Sequence, residues 1–388
     1  MVVCNIMIIF IIKFQPMDKM LENAVHYHYN KFPPKSLDYG KFYKELTSAT
    51  DALSRYDQEL KKMHNNEILL APLRNQEALL SSRIEGTIST MDEILQYEAN
   101  EDSDTDNKLV RADVLETVLY QRALKNAQLA LEDGYDISDA FIKQMHQQLL
   151  YFGRGSEKAP GLYKTEQNYL ADRDRRYIRF VPISPDHLQQ GMDELLSYIK
   201  NADELVLIKT AIAHLEFEAL HPFKDGNGRI GRMLIPLILW KEKVISQPHF
   251  YISGYFEEFK DDYIFAMRNV SEHNNWELWL KFFFIAVEKQ AVKNLEITEK
   301  IQKLYEEMKT VFAEALSSKY SINALDFVFT NPVFRNNKFT NKSAVPTNTA
   351  AKFSKKLVEE GLLVLVEEAS GSRPAMYSFE PLMKLVRI

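Results

Sequence analysis

The chain has 388 residues, of which 26% are charged and 46% hydrophobic, and its formal net charge is −6. This length provides for two or three domains with buried cores, and the composition is that of an ordinary globular protein. The negative charge excludes a chain-wide attraction to nucleic acid. The single cysteine, Cys4, excludes an internal disulfide framework and suits a reducing compartment, so we expect a cytoplasmic protein.

Residues 1 to 20 form an apolar N-terminal extension. The apolar run at residues 2 to 12 is too short to span a bilayer, and it has neither a basic flank before it nor a small-residue cleavage site after it. We therefore expect no membrane span here. Two interpretations stay open: Met17 or Met20 is the working start of the protein, which we favour, or the run is a short anchor or packing segment.

Residues 21 to 108 are predicted to be a mainly helical region. A proline-containing arm at residues 27 to 40 leads into an amphipathic helix, whose apolar residues recur at helical spacing: Leu46, Ala49, Leu53, Tyr56 and Leu60. A second helix is predicted to end at Gly86, because glycine commonly closes helices. Its last residues, from Ser81 onward, read SSRIEG. Residues 98 to 108 are acidic and predict a solvated loop.

Two more helices are predicted before the pattern changes. Apolar periodicity from residue 109 to 131 predicts a long helix that closes near Gly134. Residues 137 to 150 predict a shorter helix, with Asp136 or Ser138 as its N-cap, since both side chains can accept a hydrogen bond from the first turn.

The segment that follows breaks the helical pattern. Strand-like runs at residues 163 to 168 and 177 to 181 flank a charged turn, so we predict a β-hairpin over residues 163 to 181. An exposed hairpin edge can bind another chain by strand addition, because its main-chain groups fix the position of the added strand. The other interpretation is a surface hairpin without a binding role.

Residues 214 to 232 read HLEFEALHPFKDGNGRIGR, which predicts a helix, a short polar loop and a second helix. The apolar stripe of the first helix consists of Leu205, Ile208, Ala211, Ile212, Leu215 and Ala219. We assign no functional role to His214, because a lone histidine on such a helix is usually structural. Glu218 and His221 form half of a di-iron Glu-x-x-His motif, but the chain has no second copy, so that interpretation is set aside.

The loop itself combines the parts of a phosphate site. Gly226-Asn227-Gly228 can adopt backbone angles that turn successive N–H groups toward one anion, and the next helix directs its positive end at the same point. Arg229 and Arg232 add guanidinium groups, which bind phosphate in a forked manner. Asp225 offers a hard oxygen ligand for Mg²⁺. His221 is the nearby group that can take a proton at neutral pH.

Residues 221 to 232 also match every defined position of a known signature: His, any residue, Phe, any residue, Asp or Glu, Gly-Asn-Gly-Arg, two free positions and Arg. The chain therefore resembles the Fic (Fic/Doc) family. The resemblance implies transfer of AMP from ATP to a Ser, Thr or Tyr hydroxyl of a protein. It implies that His221 deprotonates the acceptor, that Asp225 holds Mg²⁺ and that Phe223 anchors the loop. The implied phosphate-binding residues are Gly226, Asn227, Gly228, Arg229 and Arg232.

The same resemblance gives a meaning to the SSRIEG segment. It resembles the inhibitory-helix motif of Fic proteins, in which Ser or Thr precedes Glu by four residues and Gly follows. Ser81, Glu85 and Gly86 are therefore predicted to be inhibitory residues. Glu85 would pair with Arg232, which otherwise reaches the γ-phosphate, and would leave ATP in a non-productive pose. The alternative is an exposed glutamate at a helix end.

Two further roles are implied by the resemblance. The hairpin at residues 163 to 181 resembles the flap that holds the target protein over His221, and self-modification is expected as well. Tyr263 matches a position whose ring contacts adenine, although aromatic residues at helical spacing often belong to the core. Aromatic and apolar residues between Trp240 and Trp279 predict two or three more helices.

The last part of the chain predicts a separate module. A charged helix at residues 292 to 309 leads to helices near residues 322 to 329 and 347 to 360, and then to strands at 362 to 366 and 375 to 379. This order is typical of a winged helix-turn-helix. The presumed recognition helix at residues 347 to 360 is predicted to have one face toward the core and one face outward. The inward residues are Ala350, Ala351, Leu357 and Val358, and the outward ones are Asn348, Lys352, Lys355 and Lys356.

This module has its own charge balance. Residues 318 to 388 contain ten basic and six acidic residues, a net charge of +4 against −10 for the rest of the chain. DNA binding through residues 318 to 388 is therefore one open interpretation. A protein-docking or dimer module is the other, and a homodimer stays open.

Together the patterns and the resemblance predict a mainly α protein: a Fic-type helical core with a β-hairpin flap, plus a C-terminal α+β winged helix-turn-helix. The predicted division is an extension at 1 to 20, an inhibitory helical region at 21 to 108, a Fic core at 109 to 290 and a linker helix with winged helix at 291 to 388. The predicted function is a protein adenylyltransferase that uses ATP and Mg²⁺. The alternatives are a DNA-binding regulator whose core is a sensor or scaffold, another phosphate donor, or removal of AMP.

Overall fold

The computed structural model describes residues 17–62, 66–100, 111–172, 174 and 176–387. The apolar run at residues 2 to 12, Cys4 and most of the acidic segment at 98 to 108 lie outside the described residues. Among the described residues, no helix is both long enough and apolar enough to cross a bilayer. The fold is mainly α, as the sequence predicts.

The elements are as follows in chain order. The helices are α1 (Met17–Met20), α2 (Tyr43–Lys62), α3 (Asn66–Ile84), α4 (Met91–Asn100), α5 (Ala112–Glu132), α6 (Asp139–Leu149), α7 (Pro185–Asn201), α8 (Val206–Leu220), α9 (Asn227–Lys241), α10 (Ser253–Glu258), α11 (Lys260–His273), α12 (Trp276–Leu316), α13 (Ser321–Thr330), α14 (Asn336–Lys342), α15 (Thr347–Glu359) and α16 (Glu380–Val386). The strands are β1 (Val25–His26), β2 (Leu170–Ala171), β3 (Ile178–Val181), β4 (Val333–Arg335), β5 (Val364–Glu367) and β6 (Met376–Ser378).

The chain divides into two compact units, each made of three segments. The first consists of Met1–Gln58, Leu80–Ile88 and Leu119–Val292, and the second consists of Glu59–Leu79, Ser89–Val118 and Lys293–Ile388. The division into four parts at residues 20, 108 and 290 stays a prediction.

Local sequence explains how several helices begin and end. The predicted apolar stripe of α2 is buried along its length. Helix α6 begins at Ser138, whose side chain accepts a hydrogen bond from the N–H of Phe141, so of the two predicted caps Ser138 is the one used. Gly134 follows α5 and Gly86 follows α3, and both glycines have positive φ angles, 90° and 97°. Both predicted helix ends are confirmed.

Helices α8 and α9 form the centre of the first unit. Nearly every residue of α8 is buried, as is α9 up to Leu239, and the two helices pack against each other, with α7 beside α8. A helix that is apolar on all sides requires partners all round. The loop between α8 and α9 is therefore held between two of the most enclosed elements of this unit.

A three-stranded sheet with the order β1-β3-β2 lies in the same unit. Strands β2 and β3 are antiparallel, which confirms the predicted hairpin, and β1 pairs with β3 in parallel. The predicted first strand is wrong, however, because residues 163 to 168 form no strand and β2 begins only at Leu170. The backbone and side chains of that segment bind the loop after α8 instead. Strand β1, with two residues, is too short to show a period in the sequence.

The second unit has a core of its own, rich in phenylalanine and built on α4, α12 to α16 and the sheet β4-β6-β5. Strands β4, β5 and β6 are antiparallel neighbours. The predicted helices near residues 322 and 347 and both predicted strands are present as α13, α15, β5 and β6. Helices α4 and α16 and strand β4 were not predicted, because short elements show too few periods for a pattern.

Two predictions about the C-terminal part need correction. The charged helix at residues 292 to 309 is not separate, because α12 continues without a break over 41 residues that contain neither Gly nor Pro. On α15, Ala351 is exposed, whereas Ala350, Phe353, Ser354 and Leu357 are buried. Spacings of three and four residues return to the same helix face, and Ala351 lies one residue off that face. The four residues predicted to face outward are exposed.

Candidate active site

The loop between α8 and α9 starts and ends with residues in the left-handed backbone region. His221 closes α8 with φ 46° and ψ 60°, and Gly226 precedes α9 with φ 78°. The predicted helix, loop and helix are thus confirmed, with α9 beginning at Asn227. The reversal places His221 and the first turn of α9 at one end of the helix pair.

His221 is oriented for proton transfer. Its Nδ1 lies 3.3 Å from the carbonyl oxygen of Glu218, and because a carbonyl can only accept, Nδ1 carries the proton. Nε2 therefore has the free electron pair. Burial, and next the charge of Lys164, lower the pKa of His221 to about 4, so the imidazole is neutral at physiological pH. A neutral imidazole with an unprotonated Nε2 can act as a general base.

The loop is fixed by side chains that lie beneath it. The Asn227 amide accepts a hydrogen bond from the N–H of Phe223 (2.8 Å) and donates one to the Phe223 carbonyl (2.8 Å). Phe223 is fully buried and stacks on His146, with ring centroids 3.7 Å apart. His146 accepts a hydrogen bond from Gly161 N–H and donates one to the Asp225 carbonyl. Phe223 thus anchors the loop, and Asn227 can contact a nucleotide only through its backbone N–H.

The other end of the loop has the chemistry of an anion site. The first N–H groups of α9 have no acceptor within their own helix and lie at its positive end. Arg229 is buried in the first turn, and its Nη2 lies 3.4 Å from the Asp225 carboxylate. Asp225 itself is partly exposed, so an oxygen can reach a ligand.

These residues fit a magnesium ion that arrives with a nucleotide. Mg²⁺ is commonly bound by one or two carboxylates together with substrate phosphates, and Asp225 supplies one partly exposed carboxylate beside the anion site. Among the described residues, no three His, Cys, Asp or Glu side chains gather into a metal site of their own. The di-iron interpretation of Glu218 and His221 thus has no support in this part of the chain.

Arg232 is held by the end of α3. Its Nη2 donates to the Glu85 carboxylate (2.6 Å) and to the Ser81 carbonyl (2.9 Å), and its Nε donates to the Ser81 hydroxyl (2.9 Å). Arg232 is buried, whereas the Glu85 side chain is 24% exposed. The predicted pairing of Glu85 with Arg232 is therefore present in the structure. Its inhibitory effect stays a prediction.

The geometry of this pair depends on two glycines. Gly86 closes α3 in a Schellman arrangement, in which Thr87 N–H donates to the Ser82 carbonyl and Gly86 N–H to the Arg83 carbonyl. This turn places Glu85 at the helix end. On the facing helix, a Cβ at Gly228 would collide with the Glu85 carboxylate, so the close approach requires glycine.

The carboxylates around Arg232 differ in protonation. Burial raises the pKa of Glu85, but the charge and hydrogen bond of Arg232, with Arg229 and Lys260, outweigh burial and hold that pKa below its usual value. Burial raises the pKa of Glu218 to about 8, although Arg232 opposes the shift. Glu218 is therefore mostly neutral at pH 7, and the carboxylate that neutralises Arg232 is Glu85.

A cavity of about 210 Å³ joins these parts. It is lined by His221, Gly228 and Arg232 from the loop and α9, by Glu85, and by an apolar wall from α8 and α11. The hairpin strands contribute Leu170, Ala171 and Phe180. The hairpin that the sequence predicts thus borders the same cavity as His221.

Tyr263 also lines the cavity, although it is buried. Its hydroxyl lies 2.7 Å from His214 Nε2, and its ring stacks on Phe256 with centroids 4.4 Å apart. Since His214 donates through Nδ1 to the Gly231 carbonyl, His214 accepts from Tyr263 and is structural, in keeping with the absence of an assigned role. The contact of Tyr263 with adenine stays a prediction.

The fold agrees with that of a solved structure. A Fic family protein from Desulfovibrio desulfuricans superposes with a TM-score of 0.55 at 16% sequence identity, over 89% of this chain and 98% of the other. At this identity the likeness shows the fold. The helical architecture around the His221 loop is therefore that of the Fic class.

Sequence models match two segments of the chain. The description "Fic/DOC family N-terminal" matches residues 43–129, and "Fic/DOC family" matches residues 136–239. The second match includes the hairpin and the complete loop from His221 to Arg232, and the first includes Glu85. The chain therefore contains the N-terminal region and the core domain of the Fic/DOC family.

Curated relatives are similar over part of their length. Protein adenylyltransferase fic-1 of Caenorhabditis elegans is 29% identical over 119 residues, which is 30% of this chain and 22% of the relative. The probable protein adenylyltransferase aq_aa38 of Aquifex aeolicus is 26% identical over 179 residues, or 45% of this chain and 50% of the relative. The chain thus spans about a fifth of the first relative and half of the second.

Proposed function

We propose that this protein transfers AMP from Mg²⁺-bound ATP to a hydroxyl of a protein, and that Glu85 restrains this activity in cis. The observation that carries the proposal is that a neutral His221, with an unprotonated Nε2, lines one cavity together with Gly228 and Arg232 of α9 and with the hairpin. The names of the matched relatives, adenylyltransferases from Caenorhabditis elegans and Aquifex aeolicus, support it.

In the proposed reaction, His221 takes the proton of the acceptor hydroxyl at Nε2. The acceptor oxygen attacks the α-phosphorus, and the bond from that phosphorus to the oxygen bridging the β-phosphate breaks. Pyrophosphate leaves, and AMP stays on the acceptor. The N-terminal N–H groups of α9 and the Arg229 guanidinium stabilise the negative charge of the phosphates.

Asp225 would hold the magnesium ion. When bound, the ion supplies positive charge beside the α- and β-phosphates and lowers the barrier to departure of pyrophosphate. Arg229, 3.4 Å from Asp225, keeps that carboxylate at the mouth of the anion site.

Inhibition follows from competition for one guanidinium. Arg232 is proposed to bind the γ-phosphate, but in this structure its guanidinium donates hydrogen bonds to Glu85 and Ser81. ATP that binds beside an occupied Arg232 lacks this contact, so its α-phosphate is not aligned for attack. Displacement of the Glu85 end of α3 is therefore the proposed activating event.

The hairpin is the proposed docking place for the target protein. Strand β3 is paired on both sides, so β2 forms the edge that can accept an added strand, and β2 residues border the cavity that contains His221. A segment bound at this edge would bring its hydroxyl to Nε2. Self-modification is part of the proposal, and Cys4 supports a cytoplasmic location.

The position of the label in ATP tests the reaction class. We expect the Glu85→Gly protein to incorporate label from α-³²P ATP into protein, stably to denaturation, and to incorporate none from γ-³²P ATP. The reason is that the bond proposed to break lies between the α-phosphorus and the bridging oxygen. Labelling from the γ-position would contradict AMP transfer, and other labelled nucleotides would identify another donor.

Two alternatives to AMP transfer involve the same site: removal of AMP from a modified protein, and a core that acts only as a scaffold or sensor. Removal of AMP from a modified protein would require Glu85 to position the attacking water. The rate of AMP removal would therefore fall in Glu85→Gly, whereas the rate of AMP transfer would rise. A scaffold or sensor core would show no transfer in any variant. His221, Asp225, Arg229 and Arg232 together favour an enzyme, because a scaffold needs no proton acceptor.

The second unit supports a second role. We infer that α13 to α15 with the β5–β6 hairpin form a winged helix-turn-helix, because the order of elements and the antiparallel hairpin are those of that module. Asn348, Lys352, Lys355 and Lys356 lie exposed on α15. Arg335 and Arg373 instead pair with Glu367, so the charge offered to a partner comes mainly from lysines.

Salt dependence tests DNA binding through these lysines. We expect the protein to be retained on duplex DNA at low salt. The slope of log affinity against log salt concentration reports the number of phosphate contacts, and replacement of Lys352, Lys355 and Lys356 by glutamine should lower that number by roughly two to three. Replacement of the exposed Lys303 on α12 is the control. Absence of retention at low salt would exclude DNA and favour a protein partner.

A further inference from the structure

Two side chains of the segment at residues 163 to 168 bind the catalytic loop from below. Lys164 N–H donates to the Pro222 carbonyl (2.8 Å), and its ammonium donates to the Leu220 carbonyl (3.1 Å) and to the Asn168 side-chain oxygen (2.7 Å). The Asn168 amide donates to the His221 carbonyl (3.0 Å) and the Phe223 carbonyl (3.2 Å). We call Lys164 and Asn168 the loop brace.

The brace binds every backbone carbonyl from Leu220 to Phe223. These carbonyls lie at and just after the end of α8, where His221 turns the chain into the left-handed region and no following helical turn supplies donors. The Phe223 carbonyl also accepts from Asn227, whereas for those of Leu220, His221 and Pro222 the described hydrogen bonds come from the brace. A cation at the C-terminal end of a helix also interacts favourably with its dipole. The brace therefore stabilises the exact turn that directs the His221 ring toward the cavity.

Burial of the polar side chains of Lys164 and Asn168 is unfavourable in free energy, so their enclosure indicates that their contacts serve a function. Lys164 and Asn168 are each only 4% exposed, and burial lowers the pKa of Lys164 to about 7. A lysine is rarely so enclosed unless its contacts matter. The charge of Lys164 also contributes to the low pKa of His221, where burial is the larger cause and Glu85 and Asp225 act in the opposite direction.

We propose that Lys164 and Asn168 are positioning residues for AMP transfer: they hold His221 in the Nδ1–H form with Nε2 directed at the acceptor. The proposal rests on the proposed function. The brace belongs to the segment that leads directly into β2, so it also ties the hairpin to the base. A target bound on the hairpin would thereby be placed relative to Nε2 by two buried side chains.

Kinetics in the Glu85→Gly background test the effect on transfer. We expect Lys164→Met to lower kcat about 10- to 100-fold, because misplacement of a base by an ångström has effects of that size. The KM for ATP should change less than about threefold, since the anion site lies at the other end of the loop. Lys164→Arg should restore most of kcat, and Asn168→Ala should resemble Lys164→Met.

Lys143→Met is the matched control. Lys143 lies over the Tyr163 ring and pairs with Asp139, so its charge is next to the brace but is directed at partners outside the loop. We expect wild-type kcat for this variant. Thermal unfolding of each variant identifies loss of folding. A kcat that is unchanged in folded Lys164→Met and Asn168→Ala would overturn the proposal.

A measurement without turnover separates this proposal from the proposed function. Nitrogen-15 NMR of labelled histidine reports which ring nitrogen carries the proton, and the His221 signal is assigned by its loss in His221→Asn. We expect one Nδ1–H form in the unmodified protein and in Lys143→Met, and a mixture of forms in Lys164→Met. If the tautomer of His221 changes in Lys164→Met although no variant transfers AMP, the proposal about the brace is supported and the proposed function is contradicted. An unchanged His221 signal overturns the brace.

Discussion

Replacement of Glu85 by glycine should raise the rate of AMP transfer about 10- to 100-fold, since a charge-assisted hydrogen bond contributes about 1.5–3 kcal/mol and each 1.4 kcal/mol is a factor of ten. Glu85 makes a 2.6 Å contact with Arg232. Without it, Arg232 keeps its bonds to Ser81 but loses its carboxylate partner, and it becomes available to a phosphate. The measurement is incorporation of label from α-³²P ATP into the protein itself.

A matched control exists at the end of α5. Asp133 precedes Gly134 just as Glu85 precedes Gly86, and both glycines have positive φ after a helix. Asp133→Gly makes the same change of charge and backbone at an exposed helix end, so we expect no change in transfer. Glu85→Gln keeps an acceptor but loses the charge, and it should give an intermediate rate. Equal rates for Glu85→Gly and unmodified protein would contradict inhibition by Glu85.

Replacement of His221 should abolish transfer, with a loss of at least about 10²- to 10⁴-fold, the range for removal of a general base. Asparagine is the preferred substitute, because it tolerates the left-handed conformation of residue 221 (φ 46°) and cannot take the proton. ATP binding, measured by calorimetry, should be largely kept. His187→Ala on the exposed side of α7 is the control.

The pH dependence adds a second test of His221. Because burial and Lys164 lower its pKa to about 4, the base form persists through the mildly acidic range and is lost only as pH falls through about 4. Transfer by the Glu85→Gly protein should therefore change less than about twofold between pH 7.5 and 5.5, where a histidine of ordinary pKa near 6.5 would lose most of its activity. A fall in rate centred near pH 6.5 would contradict a buried, neutral base.

Sequence alone could identify the centre of this site because its parts are local. The residues from His221 to Arg232 are consecutive, and glycine, a helix start and two arginines act on one another over one or two turns. The structure places these residues on the loop and the first turns of α9, and their roles stay predictions. The Asn227 side chain closes the loop on Phe223, which is compatible with the predicted use of its backbone N–H, and anion binding by that N–H stays a prediction.

The supporting contacts could not be predicted in the same way. Lys164 reaches Leu220, 56 residues later, and its segment has the alternation of a strand, so the pattern gave the wrong element. His146 sits on a correctly predicted helix, but nothing local indicates that it stacks on Phe223. Glu85 and Arg232 are 147 residues apart, and only the family resemblance connected them.

The C-terminal part shows the limit of local patterns for element boundaries. The sequence predicts a charged helix at residues 292 to 309, whereas α12 runs without a break from Trp276 to Leu316, because this stretch contains no Gly or Pro to end the helix. Helix α15 was placed correctly, and its error was confined to Ala351, where one residue changes the face by about 100°.

Intact-mass spectrometry of two variants incubated with Mg²⁺ and ATP tests the central claim most directly. The Glu85→Gly protein should gain the mass of one or more AMP groups, and the Glu85→Gly/His221→Asn protein should gain none, because both have Arg232 released but only the first has a base. An AMP adduct of equal yield on both variants, or on neither variant although both bind ATP, would contradict transfer catalysed by His221 and restrained by Glu85.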